Sequence, residues 1–180
     1  MSAENNPNQN VVLDNPITIR GENFFSRAAG ASLAYSLFYF EVTLTDIFNM
    51  EESSFFIGLH SFDNNDVCLM FNENNFMCKN LGIIPFQYNL SSEDVIGCGV
   101  IYPPTANTYE APHVFFTING SKFGKTIRPY TPCTDNLLPM VCLDCCSIAA
   151  NFGQRDFRYD VNNHISHGET FHLDEWTKPN

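Results

Sequence analysis

Asp94-Val-Ile-Gly-Cys-Gly-Val100, followed by Val114-Phe-Phe-Thr-Ile-Asn-Gly120, decides how this chain is read. In the first stretch β-branched residues are mixed with Gly97, Cys98 and Gly99, the composition of a strand crowded on both faces, where small residues make room for large neighbours. The second stretch supplies such neighbours in Phe115 and Phe116. It ends in Asn119-Gly120, a dipeptide that readily takes the positive φ angles of a two-residue hairpin turn. A central strand and a hairpin are therefore expected here. Working outward, Phe38-Tyr-Phe-Glu-Val-Thr-Leu44 puts Phe38, Phe40, Val42 and Leu44 on one strand face. Phe55-Phe-Ile-Gly-Leu59 reads as another strand, with Gly58 marking a bulge or a close approach. Leu138 to Leu143 and Ile148 to Phe152 read as closing strands. Val11 to Leu13 and Ile17 to Ile19 read as a first hairpin, with a short strand at Phe24 to Ala28. Phe76 to Cys78 and Ile83 to Phe86 read as further strands.

Composition sets the class. The 180 residues fit one domain, and 17 Phe against one Trp predict a core rich in phenyl rings. No long window repeats its apolar residues at the helical spacing, so an all-β chain is expected. A formal net charge of −11 disfavours nucleic acid and anionic membrane surfaces as partners. Seven Cys, two of them adjacent at Cys145 and Cys146, do not form a regular disulfide framework. The N-terminal residues lack a basic and an apolar region, and no apolar run is long enough to span a membrane. A cytoplasmic or nuclear protein with reduced thiols is expected, and the sequons at Asn89 and Asn119 are read as incidental. Residues 1 to 10 are expected to be disordered and residues 162 to 180 to form a polar tail.

Asp-Val-Ile-Gly-Cys-Gly, then Phe-Phe-Thr-Ile-Asn-Gly, then Ala150-Asn-Phe-Gly-Gln154, in this order and spacing, resembles the SPRY domain, most closely the type found in Ran-binding protein M. The resemblance covers about residues 11 to 161 and takes in Tyr39-Phe-Glu-Val42 and Ile57-Gly-Leu59. It departs from the family at 63–71, where a Gly-Trp pair is missing, and at 102–112, where Pro103, Pro104 and Pro112 are read as stiffening a surface loop. The resemblance implies a SPRY-like fold, a bent β-sandwich of two antiparallel sheets of the concanavalin-like jelly-roll kind. It also implies a non-catalytic, monomeric module that binds a short peptide or partner domain, as an adaptor or ubiquitin-ligase substrate receptor, without a cofactor. Carried over residue by residue, its binding surface consists of Arg20, Glu22 and Asn23, then Asn64, Asp66, Asn74 and Phe76, and finally Asp144 and Cys145 in the turn between the last two strands. Glu22, Asp66 and Asp144 favour a basic ligand, and Phe76 is the candidate aromatic anchor.

Other chemistries have weaker support in the residues. Cys142, Cys145 and Cys146 with His164 and His167 include zinc-ligand types, but without the paired-knuckle spacing. Cys145 with His60 or His113 lacks any activating motif for a nucleophile. The Asn clusters around Asn64, Asn74 and Asn162 suit turns, and the alternative is a carbohydrate-binding sandwich using them as ligands. A secreted parasite effector of SPRY type is a further alternative, although such effectors carry secretion signals. Titration in denaturant without reductant is expected to count seven thiols, with no stoichiometric zinc by elemental analysis.

Overall fold

The computed structural model describes residues 17–26, 35–47, 54–61, 66–72, 75–78, 82–84, 88–104, 111–127, 136–144 and 146–164. Among these residues the secondary structure is strands, with no α-helix. In chain order they are β1 (Ile17–Arg20), β2 (Phe25–Ser26), β3 (Ser36–Ile47), β4 (Ser54–His60), β5 (Val67–Asn72) and β6 (Asn75–Cys78). There follow β7 (Gly82–Ile84), β8 (Val95–Tyr102), β9 (His113–Ile118), β10 (Ser121–Ile127), β11 (Asn136–Leu143) and β12 (Cys146–Asn151). Antiparallel pairing sorts them into two sheets. One has the order β1-β11-β4-β5-β6-β7, with β2 also on β11, and the other β10-β9-β8-β3-β12. Their facing sides share one core, in which Phe40, Val42 and Leu44 of β3 and Ile96, Cys98 and Val100 of β8 meet Ile57 and Leu59 of β4 and Leu69 of β5. The protein is an all-β sandwich of two antiparallel sheets.

β8 is the crowded strand that its composition predicts. It runs between β3 and β9, in register Glu41↔Gly97↔Thr117 and Tyr39↔Gly99↔Phe115. Cys98 and Val100 face the core. Gly97 and Gly99 lie on the opposite face, beneath large neighbours. A Cβ at Gly97 would stand 2.0 Å from the Tyr39 hydroxyl and 2.4 Å from Thr117 Oγ1, and one at Gly99 would stand 2.3 Å from the Phe115 ring. The Tyr39 hydroxyl crosses Gly97 to bond Thr117 Oγ1 at 2.7 Å, and Tyr39 stacks on Phe115. Burial, with the Glu41 carboxylate adding to it against the Thr117 bond, holds that hydroxyl protonated well above the usual tyrosine range.

The hairpin closes at Asn119 (φ 51°) and Gly120 (φ 79°), both in the left-handed region that the two-residue turn requires. Asn119 also ties the hairpin back to the start of β8. Its Oδ1 accepts from Val95 N at 3.0 Å, and its Nδ2 donates to Asp94 Oδ1 at 2.7 Å and to the Tyr88 hydroxyl at 3.0 Å. The other Asp94 oxygen accepts from Ser91 N at 2.8 Å and Ser91 Oγ at 3.1 Å.

Several expectations change against the structure. β5 was not assigned from sequence, yet it pairs with β4 in unbroken register, and Gly58 is the close approach rather than the bulge, its absent Cβ lying 2.2 Å from Val67 O. The strand at Phe24 to Ala28 is confined, within the described residues, to Phe25 and Ser26. Val11 to Leu13 lie outside the described residues, and β1 pairs with β11. Pro103, Pro104 and Pro112 are buried, so the described ends of the 102–112 stretch are not the surface loop that its composition suggests. Prolines leave no N–H to satisfy on burial, which makes them inexpensive to place there. The turn between the last two strands is a crossover, since β11 and β12 belong to different sheets.

Gly97→Val and Gly99→Val are each expected to lower stability by about 1–3 kcal/mol through overpacking, read by urea denaturation. Acid provides a second check. Burial would raise the Asp94 pKa, but hydrogen bonds from Asn119, Ser91 and Tyr88 outweigh it and leave the group below its ordinary value of 3.8. A carboxyl whose folded pKa is depressed contributes stability above pH 3.8 that is lost as pH falls through the folded value. Asp94→Asn is therefore expected to be destabilised at neutral pH and to show a shallower acid-side loss than the parent.

Candidate functional site

The chain from Ile17 to Ser26 runs along one side of β11, first as β1 and then as β2. Arg20 pairs with Met140 and Phe25 with Leu137, so residues 21–24 stand opposite only Leu138 and Pro139. The cause is Pro139. Its carbonyl accepts from Gly21 N at 2.8 Å, but it has no N–H to return, so the ladder fails at that pair and the chain bows outward. A proline inside a sheet is tolerated where one neighbour falls away, and here the neighbour that does so is the β1–β2 edge. Gly21 meets the same ring, since a Cβ there would lie 3.1 and 3.2 Å from Pro139 Cδ and Cγ.

The ends of the bow are fastened. Ser26 Oγ donates to Asn136 Oδ1 at 2.7 Å, and the Tyr102 hydroxyl donates to Phe25 O at 2.5 Å. The Phe25 ring stacks on Phe38 at 5.2 Å and tilts against Phe40, plugging this edge of the sandwich. What is left outside is Glu22, Asn23 and Phe24, with Arg20 and Ile19 beside them. Phe24 is 42% and Ile19 45% exposed, two of the four large hydrophobic residues that stand most open to solvent among the described residues. A projection with a rigid base, one carboxylate, one amide and two apolar side chains offers shape, charge and hydrogen bonds at little ordering cost.

The described residues among those expected to form one binding surface do not gather at one place. Arg20, Glu22 and Asn23 belong to the bow. Asp66 lies at the same level of the sheet beyond β11 and β4, about 14 Å away at three strand spacings. Its Oδ1 accepts from Ser61 N at 2.9 Å and meets His60 Nδ1 at 2.8 Å, so it ties the two ends of the 61–66 connection together. Asp144 lies at the opposite end, its N–H donating to Ser54 O at 3.1 Å. Six residues of strand put it about 20 Å from the level of Asp66. Phe76 occupies β6, paired with Phe71 and Ile84. Asn64, Asn74 and Cys145 lie outside the described residues. Ile19 and Phe24 were not singled out from sequence. The signal available was Pro139, whose missing donor implies a gap in whichever strand lies beside it.

Cys145 and His167 lie outside the described residues, and among the described zinc-ligand types there is no convergence. Cys146 belongs to the core between the sheets, Cys142 accepts from Thr18 Oγ1 at 3.5 Å, and His164 stacks on Phe115 on the outer face of the five-stranded sheet.

No family model and no curated protein matches the sequence. Among solved structures, the chain is similar to the SPRY domain of human HERC1, at 11% identity over 78% of this chain and 85% of that one, with a TM-score of 0.48. It is also similar to a human SPRY domain, at 14% identity over 77% of this chain and 97% of that one, with a TM-score of 0.40. Alginate lyase AlgAT5 of Polysaccharide Lyase family 7 matches at 8% identity over 65% of this chain and 59% of that one, with a TM-score of 0.31. These are likenesses of overall shape, and the site rests on the geometry of this chain.

Proposed function

We propose that this protein is a non-catalytic recognition module of SPRY type, similar to that of Ran-binding protein M, which binds a short peptide or partner domain as an adaptor or substrate receptor. The observation that carries this reading is the bow at 21–24, where Glu22, Asn23 and Phe24 are exposed beside a proline-interrupted sheet edge on a base fixed by Phe25. The sequence motifs at 94–99, 115–120 and 150–154 supply the family reading. Binding energy centres on Phe24 and Ile19, because desolvated apolar anchors usually carry more than their polar surroundings. A net charge of −11, with Glu22 in the projection, favours a ligand bearing Lys or Arg.

The test begins with a partner captured from native cell extract. Phe24→Ser and Glu22→Lys, with unchanged melting temperatures, are expected to weaken its affinity about tenfold or more, and the Glu22 effect is expected to fade with salt. Asp144→Lys, about 20 Å along the sheet, is expected to bind like the parent. Normal binding by both Phe24→Ser and Glu22→Lys overturns the edge reading. Loss confined to Asp144→Lys moves the site to the opposite end of the sandwich.

A further inference from the structure

We propose that His164 is an acid-released clasp, fastening residues 151–164 over the outer face of the five-stranded sheet and letting them go on protonation. Past Asn151, the last residue of β12, the described segment pairs with no strand, and hydrogen bonds and ring contacts attach it to the sheet. At its start, Asn151 Oδ1 accepts from Gly153 N at 3.1 Å and Arg155 N at 3.3 Å, while Asn151 Nδ2 donates to Glu41 Oε1 at 3.1 Å. In the middle, Arg158 N donates to the two oxygens of the buried Glu41 carboxylate at 3.1 and 3.2 Å. The Phe157 ring meets Tyr39 edge-on at 4.9 Å, and Tyr159 lies tilted against both Tyr39 and Phe115. At the end, the His164 imidazole stacks on Phe115 at 4.0 Å, and its Nδ1 is hydrogen-bonded to the Tyr159 hydroxyl.

The last contact is the one that can be switched under mild conditions. Among the described residues, the titratable and charged groups around the imidazole are Tyr159 of the same segment and Lys122 of β10, with Phe115 of β9 providing the stacked ring. Asp160 acts on Tyr159, whose hydroxyl is already held protonated by burial. Adding a proton to His164 places a second positive charge near Lys122 and removes water from an imidazolium. The Phe115 face would support a cation, but desolvation and Lys122 act against it. Burial first, then Lys122, push the His164 pKa down from 6.5 to about 4. A group with a depressed folded pKa contributes stability that is full above pH 6.5 and declines as pH falls toward about 4. Acidification through that window releases the segment from His164 back to Arg155 and opens the Tyr39 and Phe115 face.

Hydrogen exchange read by mass spectrometry at about pH 7 and about pH 5, corrected for intrinsic rates, tests this. In the parent, the Arg155 and Arg158 amides are expected to lose about tenfold protection on acidification, less than the full shift because the imidazole is partly solvated. His164→Phe keeps a ring on Phe115, and His164→Gln keeps a neutral partner for Tyr159. Neither binds a proton there, and neither is expected to show the loss. Unchanged or increased protection in the parent at about pH 5 overturns the proposal, as does an equal loss in both variants, which would assign the response to another group. The parent titration stands even if a variant fails to fold.

Discussion

Two missing side chains govern the five-stranded sheet. Because Gly97 and Gly99 present only backbone on the outer face of β8, the Tyr39 hydroxyl can cross to Thr117 and the Phe115 ring can lie over the strand. The rings placed there become the floor for Phe157, Tyr159 and His164. The sheet therefore has apolar layers on both faces, and β8 is buried along nearly its whole length. Filling either glycine would displace Tyr39 or Phe115, on which Phe157, Tyr159 and His164 pack.

A different economy operates at the edge of the seven-stranded sheet. Edge strands expose unpaired backbone groups that invite further pairing, and proteins blunt them with bulges, charge or proline. Here the proline lies one strand inward, in β11, and its effect is passed to the edge through the donor it lacks. The resulting bow interrupts any continuous strand template and at the same time leaves Glu22, Asn23 and Phe24 exposed at the edge. Protection of the edge and presentation of a surface follow from one residue, Pro139.

Much of this was readable from sequence where the cause is local. Alternation from Phe38 to Leu44 gives the buried face of β3, Asn119-Gly120 gives the turn, and the glycines of β8 give its crowding, because each depends on residues within a few positions. The pairing of β1 with β11 is different, since nothing near Ile17 encodes Leu143. The distribution of the site was hidden for the same reason: Asp66 and Asp144 look like neighbouring loop residues until the order of β11, β4 and β5 separates them. β5 is not legible because Val67-Cys-Leu-Met-Phe71 lacks a period-two pattern, as strands buried on both faces do. The packing of the segment after Asn151 is not legible in sequence, because the partners of Phe157, Tyr159 and His164 on β3 and β9 lie far away along the chain.

The register Ile17↔Leu143 has a temporal side. The first strand must wait for 126 further residues, from 17 to 143, before its partner exists. At ordinary synthesis rates of about 5–20 residues per second, that interval is roughly 6–25 s. The β8–β9–β10 meander, by contrast, closes within a span from Val95 to Ile127. The face that carries Ile19 and Phe24 is thus the last part of its sheet that a growing chain can complete, and until then those apolar residues have no scaffold to present them.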